Sequence, residues 1–180
     1  MASFLLSNCA GDSGPRLLAV GGIHVFESGG PCRLARAEPE GALKDLGWPD
    51  ALALEAAREG DAEVTCGDEK FALKALPPAR LEIKLPDGGA PTGIPVQKPF
   101  KVQAMLYDAQ GRELEVGKFT HFEWTPSEGL EPANDPSAGE FGLCDTCFGL
   151  HNFRAVKPGQ GSIVASLGGL KGELLIEAHL

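Results

Sequence analysis

Ala56-Ala57-Arg58-Glu59-Gly60-Asp61-Ala62-Glu63-Val64-Thr65-Cys66 and Ala155-Val156-Lys157-Pro158-Gly159-Gln160-Gly161-Ser162-Ile163-Val164-Ala165 are the two stretches on which the fold turns. They align without a gap at an offset of 99 residues, with Ala, a basic residue and Gly at matching places. After the glycine, every second position is small or β-branched (Ala62, Val64, Cys66; Gly161, Ile163, Ala165), and the positions between are mostly polar. Side chains of a strand alternate between its two faces, so this period marks a half-buried strand entered through a glycine-bearing turn. A unit of that kind occurring twice points to an all-β chain built from two copies.

Working outward, the first copy carries strand-like pieces over 17–20, 23–26, 32–37, 62–66 and 71–76. The stretch 51–57 reads either as a strand, from the alternation of Leu52, Leu54 and Ala56, or as a helix capped by Asp50. Pro77-Pro78 breaks the pattern and a second series follows over 80–85, 100–107, 119–124, 153–156, 162–167 and 173–180. Phe100, Val102, Ala104 and Leu106 alternate with Lys101, Gln103, Met105 and Tyr107, the clearest half-buried strand, with Asp108-Ala109-Gln110-Gly111 as its turn. The reading divides the chain into a tether over 1–14, a small domain over 15–77 and a larger one over 78–180. Matching Trp48 to Trp124 gives the second copy about 23 extra residues, placed in a long loop over 125–150.

Glycine (24) and proline (14) make up about a fifth of the 180 residues, which suits frequent turns and short strands rather than helices. A formal charge of −9 has the wrong sign for neutralising phosphates, so nucleic acid is excluded as a partner. No apolar run approaches the ~18 residues of a membrane-spanning helix, which leaves a lipid anchor as the expected membrane attachment.

That anchor would be Cys9. Phe4-Leu5-Leu6-Ser7-Asn8-Cys9-Ala10-Gly11 resembles the lipobox of bacterial lipoproteins, and the resemblance implies acylation of the Cys9 thiol. The four remaining cysteines can pair completely: Cys32 with Cys66, expected as a bridge between sheets, and Cys144 with Cys147. Two disulfides imply an oxidising, extracytoplasmic compartment. Gly11-Asp12-Ser13-Gly14 mimics the surroundings of a serine-protease nucleophile, but it lies in the tether with no preceding His and Asp to complete a triad.

Val102 to Tyr107, Asp108-Ala109-Gln110-Gly111, Trp124 and Gly159-Gln160-Gly161-Ser162-Ile163-Val164-Ala165 together resemble the bacterial immunoglobulin-like domains found in tandem on surface proteins and in some phage structural proteins. The likeness covers about residues 80–180 well and 15–77 in its last third. It implies two tandem immunoglobulin-like β-sandwiches, a role in adhesion, spacing or decoration, and no catalytic residues.

Chemistry concentrates in the loop. Cys144, Cys147 and His151, with His121 before Trp124, make a Cys2His2 set for zinc as an alternative to the disulfide or free thiols. Phe148 stands where haem attachment would need His. Glu128, Glu131, Asp135, Glu140 and Asp145 are a calcium alternative to a solvated acidic loop. His24 and His179 read as ordinary surface or edge residues, and Trp48 and Trp124 as core. The expectation is a non-enzymatic extracytoplasmic protein without cofactor, in the periplasm or on the outer-membrane surface. Its loop, with Trp124, Phe141, Phe148 and His151 as contacts, would meet a protein or glycan partner. The alternatives are a self-assembling subunit of a virion or surface filament, and a zinc or redox protein using Cys144 and Cys147.

Overall fold

The computed structural model describes residues 14–26, 31–86, 88–133 and 147–180. The first half contributes β1 (Arg16–Ala19), β2 (Ile23–Phe26), β3 (Cys32–Glu38), β4 (Leu43–Asp45), β5 (Leu52–Ala56), β6 (Gly60–Cys66) and β7 (Glu69–Leu76). They form two sheets in the orders β1-β7-β6-β3 and β2-β5-β4. Leu18, Val64 and Leu73 from one and Leu43, Leu52 and Leu54 from the other meet in a shared buried cluster. The choice left open at 51–57 resolves as strand: Leu52 and Leu54 lie opposite Phe26 and His24 of β2.

The second half contributes β8 (Arg80–Lys84), β9 (Thr92–Pro95), β10 (Pro99–Tyr107), β11 (Glu113–Leu114), β12 (Glu123–Pro126), β13 (Leu130–Pro132), β14 (Leu150–Ala155), β15 (Gly159–Leu167) and β16 (Leu170–His179). One sheet runs β12-β15-β16-β9; in the other, β10 has β8 along one edge and β14, then β11, along the other. Their inward faces meet around Val102, Ala104, Leu106, Phe153, Ile163, Ala165 and Ile176. Strands β8-β10-β14-β13 facing β16-β15-β12 reproduce the immunoglobulin constant-type pairing of sheets. The fold is all-β, as the alternation predicts, and immunoglobulin-like in strand order, as the resemblance implies. In both halves an edge strand runs parallel to the last strand of the hairpin, β1 to β7 and β9 to β16.

Several expectations need correction. Cys32 and Cys66 form a disulfide, but they are directly opposite one another on neighbouring strands of one sheet, 4.0 Å apart at Cα, and do not bridge two sheets. Alternation shows which way a side chain points and not which strand lies beside it. Trp124 pairs with Ala165, the residue 99 places after Cys66; Cys32 is therefore the first-half counterpart of Trp124. Trp48 lies in the turn between β4 and β5 and is exposed rather than core. The larger connection of the second half separates β13 from β14 (133–149) where the first half has only 46–51 between β4 and β5. The expected strand over 119–124 starts later, at Glu123, and β13 interrupts the supposed loop over 125–150. The short strands β4, β9, β11 and β13 carry too few alternating positions to register as a period.

The halves share a seam. On its far side from β7, β1 meets the segment after β11: Ala19 N–H donates to the Glu115 carbonyl (3.0 Å) and Glu115 N–H to that of Leu17 (2.7 Å). Lys118 N–H donates to the Ile23 carbonyl (2.8 Å). A Cβ on Gly117 would stand 2.6 Å from Ile23 N and 2.9 Å from Gly22 C, so only glycine permits this backbone approach. Ala19 and Leu76 from the first half are buried in the second core.

Candidate binding surface

Of the residues singled out in the sequence, Cys9, Phe141, Cys144, Asp135, Glu140 and Asp145 lie outside the described residues, so acylation and the Cys144–Cys147 pairing are not visible here. Cys147 opens a single 3-10 turn, Cys147–Gly149, that returns the chain to β14. Phe148 takes a left-handed conformation there (φ 57°), its ring is exposed, and its N–H reaches the Lys118 carbonyl at 3.4 Å. An aromatic residue held at positive φ is a local cost accepted by the surrounding structure.

Trp124 and His151 do come together, but chiefly with the core. The Trp124 ring is edge-on to His151 (5.4 Å) and to Phe153 (5.9 Å), and His151 stacks on Phe153 at 4.7 Å. His151 Nδ1 donates to the Asn152 carbonyl (3.0 Å). The stack closes the β12 and β14 side of the second core, and Trp124 is half-buried. His121 is exposed ahead of β12. Among the described residues no three His, Cys, Asp or Glu side chains gather as a metal set. Two of the acidic candidates are engaged by cations: Glu128 by Lys157 at 2.5 Å and Glu131 by Arg154.

The sequence reading missed a surface feature beside the seam. Leu46, Trp48, Phe119 and Phe148 are 38 to 50% exposed. The Trp48 and Phe119 rings meet edge-to-face at 5.7 Å, one from each half, and the Phe148 backbone bonds to the residue preceding Phe119. The Lys118 ammonium lies 5.8 Å from the Phe119 ring. In sequence these residues are scattered over a hundred positions; the one available signal is Leu46 and Trp48 flanking Gly47 in a turn, where apolar side chains have no core to enter. Asp45 Oδ1 accepts the Gly47 N–H (2.8 Å) and shapes that turn.

The seam itself carries charge. Arg16 holds the Glu115 carboxylate through two nitrogens, Nη2 donating to Oε1 (2.7 Å) and Oε2 (2.6 Å) and Nε to Oε2 (3.2 Å), a charge-assisted pairing. Burial raises the Glu115 carboxyl, but the facing His24 imidazole and the Arg16 guanidinium outweigh it and hold the group below the usual carboxylate range. His24, expected at a surface or edge, is 1% exposed, because it shares the inward face of β2 with Phe26. His179 is exposed, as expected.

No protein-family model matches the chain, and no curated protein matches it in sequence. Among solved structures it is similar to domains 5-6 of the S-layer protein SbsC, at 12% identity over 93% of this chain and 94% of that one, with a TM-score of 0.37. It is also similar to the Escherichia coli adhesin FdeC (12% identity, 92% of this chain, 62% of that one, TM-score 0.37). A third is invasin, a bacterial integrin-binding protein, of which the chain spans about a third (12% identity, 92% and 33% coverage, TM-score 0.38). The strand order above, and not these loose superpositions, establishes the immunoglobulin-like topology.

Proposed function

We propose that the protein is a non-enzymatic extracytoplasmic binding or spacer protein, two immunoglobulin-like units joined along a seam and presenting the surface beside it to a protein or glycan partner. The observation that carries this reading is the gathering of Trp48, Phe119 and Phe148, exposed and drawn from both halves and from the return of the 133–149 connection. Exposed aromatic residues on a rigid scaffold are the usual anchors of recognition surfaces. The Cys32–Cys66 disulfide supports an oxidising compartment, and acylation at Cys9 would tether the chain there. In this reading Phe141, in the connecting segment, is a further contact, whereas Trp124 and His151 pack on Phe153.

The test is binding of the purified, oxidised chain to immobilised glycans and to extracellular-matrix proteins. It is repeated with Trp48→Ala/Phe119→Ala and with 134–146 replaced by a Gly-Ser turn. Both variants keep the wild-type melting temperature and lose at least about tenfold in affinity; unchanged binding by both would sink the proposal. Leu175, 70% exposed on the outer face of β16, favours a second reading as a subunit of an ordered assembly. Concentration-dependent oligomers by light scattering, abolished by Leu175→Lys, would select it.

A further inference from the structure

The outer faces of the sheets differ in how their charges are met. On β3-β6-β7, Arg36 pairs with Glu38, Lys70 with Glu63 and Lys74 with Asp61. On β8-β10-β14-β13, Glu82 takes both Arg80 and Lys84, and Glu131 takes Arg154. Such ladders of opposite charge suit faces that stay in water. The outer face of β12-β15-β16-β9 is built otherwise. Residues opposite one another on neighbouring strands share a face, so the buried Ile163 and Ala165 put Ser162, Val164 and Ser166 of β15 outward, beside Leu175, Glu173 and Lys171 of β16. Among the described residues Lys171 and Glu173 have no ion-pair partner, and Glu177 meets only His179, at 3.7 Å. In the middle of these small side chains Leu175 is 70% exposed, more than any other large apolar residue described except Leu180.

We propose that this face binds the same face of a second copy, about a two-fold axis that lies in the interface, crosses β16 at right angles and passes at the level of Leu174. The axis lays β16 of one copy antiparallel over β16 of the other, so positions equally far on either side of residue 174 come together. Residues 171 and 177 are each three places away, and Lys171 of each copy meets Glu177 of the other. Leu175, one place away, lies beside its own counterpart, with Ser162 and Val164 around it. Glu173, opposite position 175 of the other copy, has Lys171 two places along its own strand to offset its charge. A cation at one end, a carboxylate at the other and an apolar side chain between them make one face complementary to itself, as isologous pairing requires. Four strands about 4.8 Å apart and about nine residues long give a face of roughly 500 to 600 Å². Two such faces bury about 1,000 to 1,200 Å², the low end for a specific interface. The charge of −9 on each copy opposes pairing, but screening beyond about 8 Å at 0.15 M salt leaves the groups in contact to decide. The inference rests on the second reading above, self-association through Leu175, and narrows its occupant to one further copy in a closed pair.

The experiment is sedimentation velocity of the oxidised full chain from about 1 to 500 µM in about 0.15 M salt, for wild type, Lys171→Glu, Glu177→Lys and the double exchange of both. Wild type is a monomer–dimer equilibrium that stops at two, with a Kd of about 10 to 100 µM. Each single reversal sets like charges against one another twice per dimer and weakens pairing at least about tenfold, while the double exchange restores it to within about threefold. A chain monomeric throughout overturns this pairing and the Leu175 reading together. Oligomers that grow beyond two, or a dimer lost with Leu175→Lys yet indifferent to both single reversals, overturn the two-fold pairing and leave the Leu175 reading standing. A double exchange no better than the single reversals overturns the pairing as well.

Discussion

Gly117→Ala should be among the most damaging single-methyl additions in this chain. Its Cβ would meet three backbone atoms of the first half: Ile23 N at 2.6 Å, Ile23 O at 2.8 Å and Gly22 C at 2.9 Å. Ordinary contact needs about 3.5 Å or more, so the segments must part by most of an ångström. Backbone cannot swing aside as a flexible side chain can. The displaced strand holds Gly21 N–H on the Ala56 carbonyl (2.8 Å), Ala56 N–H on the Gly22 carbonyl (3.0 Å) and Lys118 N–H on the Ile23 carbonyl (2.8 Å). Overpacking of this kind costs about 1 to 3 kcal/mol, and loss of the Lys118 bond about 1 kcal/mol more. The sum, about 2 to 4 kcal/mol, moves the urea midpoint down by about 1 to 2 M for an m-value near 2 kcal/mol/M. Equilibrium urea unfolding followed by tryptophan fluorescence measures it. A midpoint within about 0.3 M of wild type would refute the claim that the two halves meet in backbone contact at Gly117.

Reducing the Cys32–Cys66 disulfide, or replacing both cysteines by serine, removes a cross-link spanning 34 residues; the chain-entropy relation puts the loss at about 4 kcal/mol, read as the difference between oxidised and reduced unfolding curves. Acid weakens the chain through two carboxylates. At Asp108, burial raises the carboxyl but the Arg112 backbone N–H and guanidinium outweigh it, so it is held below its ordinary value, and Glu115 is depressed in the same direction. A depressed folded-state value means stabilisation that is complete above the ordinary carboxylate pKa and lost as pH falls through the lower folded value. Stability of the wild type should therefore drop below about pH 4, and Asp108→Asn and Glu115→Gln should each flatten that drop; parallel curves for all three chains would contradict it.

The alternation in 100–107, the glycine-led repeat at Gly60 and Gly159, and the Asp108 turn are all local, and each was legible from residue order because strand period and turn chemistry act over a few positions. Ile163, Ala165, Ile176 and Ala178 are buried as their period requires. Neighbourhood is a different kind of information. Cys32 bonds within a sheet and Trp124 occupies the equivalent place beside Ala165, because strand order is set by how two sheets close over a core. The turn holding Trp48 has no period at all, and its exposure follows only from where the second half docks. His24 reads as one polar residue among apolar neighbours, yet it is buried because β2 faces inward and β11 brings Glu115 beside it. The candidate surface and the seam join residues from 16 to 148, and contacts at that separation come from the packing of the two halves, which short-range pattern does not encode.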